Sequence, residues 1–101
     1  MNNRSAQLNK TADDQYQIIG TLTYASVPAL YNKSLFLFDT EEGELVLDFQ
    51  KTTQVDSAGF ALVVEWQRLA RQKNKILLCH HIPQQMKAIA ELSGLSMLLD
   101  N

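Results

Sequence analysis

A chain of 101 residues, 46% apolar and 20% charged, has the composition of one soluble globular domain and is too short to build a second hydrophobic core. Its formal charge of −2 lacks the basic excess that phosphate contacts require, which argues against a nucleic-acid binder while local basic patches remain open. The sole cysteine, Cys79, rules out an intramolecular disulfide, a CxxC redox pair and a Cys-rich zinc site, and it fits a reducing compartment.

Residues 1–5 are polar and are expected to be disordered, with the single domain running over residues 6–99. The polar start lacks the apolar stretch of a secretory signal, and no apolar run reaches the roughly 20 residues that span a bilayer. The expectation is a cytoplasmic protein that meets a membrane only through a partner. Residues 6–10 read as the first arm of a hairpin, Asp13-Asp14 as its turn, and residues 16–22 as a short β-rich second arm. Ser26 is placed to cap a helix with Pro28 in its first turn. Val27, Leu30, Tyr31, Ser34, Leu35 and Phe38 then share one helical face, while Phe36 falls opposite, as an exposed contact or as the sign of an early helix end. Residues 39–43 form an acidic turn, and residues 45–49 a compact apolar strand suited to the middle of a helix-covered sheet.

The polar stretch 50–54 reads as a loop leading into Val55-Asp56-Ser57-Ala58-Gly59, and a helical pattern then runs to about Lys73, with Asn74 as its C-cap. Residues 76–80 form the next buried strand. Pro83 opens a last helix with Met86, Ile89, Ala90 and Ser93 on one face, and Gly94 closes it, with Leu95 supplying the apolar contact of a Schellman end. Residues 96–101 add an edge strand or a loop. The order β-β-α-β-α-β-α, with short connections, implies right-handed crossovers and a single α/β domain whose mixed, mostly parallel sheet is covered by helices.

The segment from Val55 to Leu62 carries the functional information. Ser57 is placed to cap the helix, and a helix start with free N–H groups and a positive dipole end favours an anion, including a phosphate on Ser57 itself. Read blandly, Asp56 and Ser57 are only helix-start residues. At about 100° per residue, Ala58, Leu62, Trp66, Leu69 and Ala70 make a side suited to the sheet. Ser57, Phe60, Val64, Arg68 and Arg71 lie on another side, where apolar groups rimmed by arginine have the composition of a protein-binding surface. Scattered exposed apolar residues are also ordinary, so core and contact both stay open for this side.

The element order, the strand at residues 45–49 and Val55-Asp56-Ser57-Ala58-Gly59 opening a helix resemble the STAS domains, a family named for sulfate transporters and anti-sigma-factor antagonists. The resemblance spans residues 6–99. Within the family the likeness is strongest to the MlaB-like branch, from the short stand-alone length, the segment from Gly20 to the aromatic Tyr31, Val55-Asp56-Ser57-Ala58-Gly59-Phe60-Ala61-Leu62, and the abbreviated end after Gly94-Leu95. That likeness implies a non-enzymatic cytoplasmic subunit of a phospholipid-trafficking ABC transporter that maintains outer-membrane asymmetry. It would bind the ATPase subunit, in a complex with a membrane permease, and support its assembly and activity. Tyr31, Asp56, Ser57, Phe60, Val64, Arg68 and Arg71 are then the expected partner-binding residues. The alternative within the same family is an anti-sigma-factor antagonist switched by phosphorylation of Ser57. Here Ala58 stands where those antagonists typically carry a second serine, and Ser57 keeps the phosphorylatable position.

Other constellations give no chemistry. His80 and His81 are adjacent on a strand and point to opposite faces, so they do not chelate one ion, and no metal or cofactor is expected. Cys79 reads as a small buried residue, and Glu65 and Glu91 as lone solvent-facing carboxylates. The Gly-x-Ser-x-Gly elbow, the Walker loop and Gly-x-Gly-x-x-Gly are all missing, which argues against a hydrolase or a nucleotide-binding enzyme. Tyr31 is open between core and contact.

Overall fold

The first two strands form an antiparallel hairpin, exposed along most of β1 and increasingly buried toward the end of β2, and everything else is laid beside it. In the computed structural model, which describes residues 5–99, β1 (Ala6–Ala12) and β2 (Gln15–Leu22) pair with Ala6 opposite Gly20 and Lys10 opposite Tyr16. The two-residue turn between them uses a left-handed Asp14, with φ 59°. Of the residues expected to be disordered, 1–4 lie outside the described residues, and Ser5 is exposed. Gly20 has φ 107°, and a Cβ there would fall on the carbonyl oxygen of Ser5, so only glycine lets the hairpin close at this point.

Three further strands run parallel to β2: β3 (Glu44–Asp48), β4 (Thr52–Val55) and β5 (Ile76–His80). The order across the sheet is β1-β2-β3-β5, with β4 paired to β2. β3 and β4 share one edge of β2: Gln15 to Gln17 pair with Val46 to Asp48, and Gly20 to Leu22 with Thr52 to Val55. The expected loop at 50–54 is therefore corrected to a turn and a strand. Its polar residues concealed it, because only Val55 of β4 is fully buried, while the Thr52 hydroxyl donates to the carbonyl of Ile18 at 2.8 Å.

Three helices cover one face of this sheet: α1 (Val27–Ser34), α2 (Ser57–Gln72) and α3 (Gln84–Leu92). The core between the layers combines Ile18, Leu45, Leu47, Leu77 and Cys79 of the sheet with Leu30, Leu62, Val63, Trp66, Met86 and Ala90 of the helices. The opposite sheet face, with Gln15, Gln17, Val46, Asp48 and Leu78, has no described helix over it and is only partly buried. The expected single α/β domain with a mixed, mostly parallel sheet is what the chain forms.

The first helix is shorter than its apolar face suggested. It ends at Ser34 and tightens into a 3₁₀ turn, Leu35–Phe38, which buries Leu37 and Phe38 and leaves Phe36 half-exposed, edge-on to Tyr16 at 5.9 Å. Ser34 is buried because its hydroxyl accepts the Trp66 indole N–H at 2.8 Å and donates to the Tyr31 carbonyl at 2.8 Å, locking α1 to α2. Ser26 does not cap α1 by its side chain: it is buried, donating to the Thr21 carbonyl at 2.6 Å and accepting from the Thr23 amide at 3.0 Å.

Both later helices end in Schellman geometry. Leu95 N–H bonds the carbonyl of Ala90 and Gly94 N–H that of Glu91, with Gly94 at φ 70°. At the end of α2, Lys75 N–H bonds Ala70 and Asn74 N–H bonds Arg71, so Asn74, at φ 56°, lies one residue beyond the C-cap Lys73 rather than being the cap. The buried Lys75 ammonium then holds the acidic turn from below, through the Thr40 hydroxyl at 2.8 Å and the carbonyls of Thr40 and Glu42. A second 3₁₀ turn, Ser96–Leu99, follows α3 and anchors on buried Leu99.

Candidate functional site

The chain enters α2 directly from β4, and Asp56 organises that entry. It is Asp56, not Ser57, that caps the helix: its Oδ1 accepts the Gly59 amide at 3.1 Å, from an extended backbone. Its other oxygen accepts the Tyr24 amide at 3.0 Å, which ties the β2–α1 turn to the start of α2. Gly59 is demanded by proximity, since a Cβ there would fall on the carbonyl oxygen of Leu22. The short Asp-Ser-Ala-Gly segment thus divides its work: Asp56 caps and ties, Gly59 lets helix and strand touch, and Ser57 is left exposed as the first helical residue. Its hydroxyl has no hydrogen-bond partner among the described residues.

Gly59→Ala tests the close approach. Alanine raises helix propensity by about 1 kcal/mol, but overpacking against a backbone carbonyl costs roughly 1–3 kcal/mol or more. A net loss of stability in urea unfolding is the expected result.

The outward stripe of α2 differs from the expected one at a central position. Phe60 is 4% exposed and belongs to the core, so it is corrected from contact residue to packing residue. Ala58 shifts the other way, being only half-buried, and the exposed position between Ser57 and Arg68 is held by Ala61. A helix 16 residues long that lies on a sheet and is flanked by α1 and α3 buries more than half its circumference, and Phe60 falls within that arc. Val64 is half-buried against the core, as is Tyr31 on α1.

Arg68 is exposed and doubly bonded to Glu65, Nε to Oε1 at 2.8 Å and Nη2 to Oε2 at 2.6 Å. Glu65 is therefore a paired carboxylate, not a lone one. The hydrogen bond from Arg68 holds the Glu65 carboxyl below its usual range, and Arg68 is raised by that bond, by the Glu65 charge and, to a smaller extent, by Tyr31 across the α1–α2 groove. Arg71 is exposed in the last turn and makes no ion pair among the described residues. Asp56 and Ser57 stand about 16 Å along the helix from Arg68. The expected residues thus form a stripe with two ends, not one compact site.

Beside the Ser57 end lies a cleft of about 400 Å³ lined by Thr23, Tyr24, Gln54, Asp56 and Gln85. Tyr24 is 73% exposed at its edge. Sequence reasoning passed over Tyr24, Gln54 and Ala61. Only the first carried a signal, as a lone aromatic in the turn that Asp56 bonds. Gln85 of α3 joins the cleft, its Oε1 accepting the Val55 amide N–H at 3.0 Å.

No described helix is long and apolar enough to cross a membrane. Among the described residues no group of three or more His, Cys, Asp or Glu side chains is arranged to hold a metal. Burial pushes the Cys79 thiol up to about 12, which leaves it protonated and inert at neutral pH.

This fold recurs in solved structures of the anti-sigma factor antagonist SpoIIAA. The unphosphorylated form is 18% identical with a TM-score of 0.70, covering 93% of this chain and 84% of that one. The phosphorylated form, described as a Bacillus cell fate determinant, is 19% identical with a TM-score of 0.64, covering 93% and 87%. A comparison with curated protein sequences finds no match. A family model described as MlaB, STAS domain, matches residues 7–100. With nearly the whole chain matched, this chain belongs to the MlaB-like STAS domain family.

Proposed function

We propose that this chain is a non-enzymatic accessory subunit of an Mla-type phospholipid ABC transporter, held at the cytoplasmic side of the membrane by binding the ATPase subunit. STAS domains mediate protein–protein contacts, and the MlaB description of the matching family supports the transporter assignment. The observation that carries the binding surface is the exposed stripe Ser57–Ala61–Arg68–Arg71 beside Tyr24. Small residues at its start admit close approach, and Arg71 at its end is free for an acidic partner. Asp56, Val64 and Tyr31 support this surface from the half-buried layer beneath.

Co-expression with the ATPase and permease of an Mla-type transporter from the same genome tests the reading. Ala61→Arg and Arg71→Glu should each abolish co-purification of the ATPase while circular dichroism stays native, since both positions are exposed. Retention of the ATPase by both folded variants would remove α2 from the interface.

A second reading rests on Ser57, whose exposed hydroxyl at a helix start has the setting of a phosphorylation switch. As an anti-sigma-factor antagonist the chain would carry a condition-dependent phosphate on Ser57, visible as a mass increment in the intact native protein, and Ser57→Ala would bind its partner constitutively. An unmodified Ser57 across growth and stress conditions supports the transporter reading.

A further inference from the structure

The sheet ends in β1 on one side and β5 on the other, and the chain treats these two edges differently. The β5 edge is covered by the 3₁₀ turn after α3. There Gln67 Nε2 donates to the Leu98 carbonyl at 3.0 Å and to the outward Leu77 carbonyl at 3.5 Å. The β1 edge carries nothing comparable among the described residues. The Ser5 carbonyl accepts the Thr21 amide and Ala6 stands opposite Gly20, so Gln7 and Asn9 turn their backbone groups toward β2. Ala6, Leu8 and Lys10 therefore point their N–H and C=O groups outward, where no described residue bonds them.

Such an edge is a template for another strand unless proline, charge or irregularity blunts it. Residues 6–12 contain no proline and no carboxylate, and their one lysine, Lys10, is already paired with Asp13 of its own hairpin turn at 3.4 Å. The bulge between Lys10 and Ala12 leaves a regular edge from Ala6 to Lys10, with Gln7, Asn9 and Lys10 exposed and Leu8 half-buried.

That edge is complementary to itself. About a two-fold axis at Leu8, Leu8 meets Leu8 of a second copy, Ala6 meets Lys10, and Gln7 meets Asn9. The pairs Leu8–Leu8 and Ala6–Lys10 join outward-facing residues, so each exchanges both of its N–H···O bonds. The side chains match as well: leucine meets leucine on the helix side, amide meets amide on the open face, and no like charges are opposed. Phe36, 52% exposed and edge-on to Tyr16, adds an apolar group on the same rim, since Tyr16 is the cross-strand neighbour of Lys10.

We propose that two copies of this chain associate through β1, antiparallel about a two-fold axis at Leu8, so that their sheets become one. The contact uses neither α2 nor the Ser57 segment, and it stands or falls without the partner-binding stripe.

Light scattering of the full-length chain over a concentration series, beside amide hydrogen exchange, tests the contact. The expected mass climbs to twice that of the monomer. Protection of the Leu8 and Lys10 amides is lost on dilution, while Gln7 and Asn9 stay protected at every concentration. Gln7→Glu combined with Asn9→Glu opposes like charges across the axis and should weaken association by about tenfold. Gln7→Lys combined with Asn9→Glu opposes unlike charges and should restore or tighten it. Both positions are exposed, so the variants keep their fold, which circular dichroism checks. A mass that stays monomeric up to about 1 mM, or a dimer indifferent to both charge combinations, overturns the proposal. Protection of the Leu8 amide that arises only in complex with a different protein gives the edge to a foreign strand and overturns it equally.

Discussion

Trp66→Ala is expected to destabilise the chain by about 3–5 kcal/mol and to lower Tm by roughly 15–30 °C. Trp66 is the largest fully buried side chain and stands at the centre of α2, between α1 and the sheet. Its removal takes away the ring and leaves a cavity that a sheet and two flanking helices cannot close. For a domain whose whole stability is about 5–15 kcal/mol, that loss approaches unfolding. Two milder variants separate packing from hydrogen bonding. Trp66→Phe keeps much of the volume, and Ser34 still donates to the Tyr31 carbonyl, so the cost is smaller. Ser34→Ala keeps the volume but buries the indole N–H without an acceptor, costing about 1–3 kcal/mol. If urea unfolding ranks Ser34→Ala as neutral, the Ser34–Trp66 bond does not hold α1 to α2.

The pattern of successes in the sequence follows from how strongly each element is patterned. Strand β3, between β2 and β5, and strand β5, at the sheet edge, are short apolar runs whose alternate residues Leu45, Leu47, Leu77 and Cys79 are buried under the helices, and such runs stand out in any reading. Gly94 with Leu95 announced a Schellman end, and both of its bonds form. β4 was invisible because its pairing with β2 is a backbone matter, and three of its four side chains are polar. The 3₁₀ turn after α1 was half-visible: Phe36 fell off the helical face, and the chain tightens just before it.

The candidate site was legible in its location more than in its division of labour. The Asp-Ser-Ala-Gly segment marked the start of α2, but sequence alone favoured serine as the cap, since both residues are good caps and are adjacent. The structure decides by register: the Asp56 carboxylate reaches the amide three residues on, while its backbone remains extended. Ser57, relieved of capping, keeps its hydroxyl exposed at the first position of the helix. Tyr24 could be brought to the site only by a contact between residues 32 apart, the Asp56 carboxylate on the Tyr24 amide. Cleft residues of α3 depend on the same kind of long-range closure.

Phe60→Asp is expected to unfold the chain at neutral pH rather than to produce a folded protein with a damaged surface. Phe60 is buried in the one core cluster, so the substitution removes an aromatic ring, at roughly 3–5 kcal/mol, and places a carboxyl among apolar groups. An unpaired buried charge costs several kcal/mol more. The sum reaches the whole stability of a typical domain of this size. The sign of the pH dependence distinguishes the two contributions. Burial raises the pKa of the introduced carboxyl above its unfolded value near 3.9, so the charge penalty is absent below about pH 4 and grows as pH rises above it. Phe60→Asn carries the packing loss without the charge and should show a deficit that does not vary with pH. Phe60→Leu should be the mildest of the three. Chemical unfolding of the three variants at pH 4 and pH 7 reads this out directly. A Phe60→Asp protein that is as stable as its parent at pH 7 would return Phe60 to the surface of α2 and restore it to the partner-binding stripe.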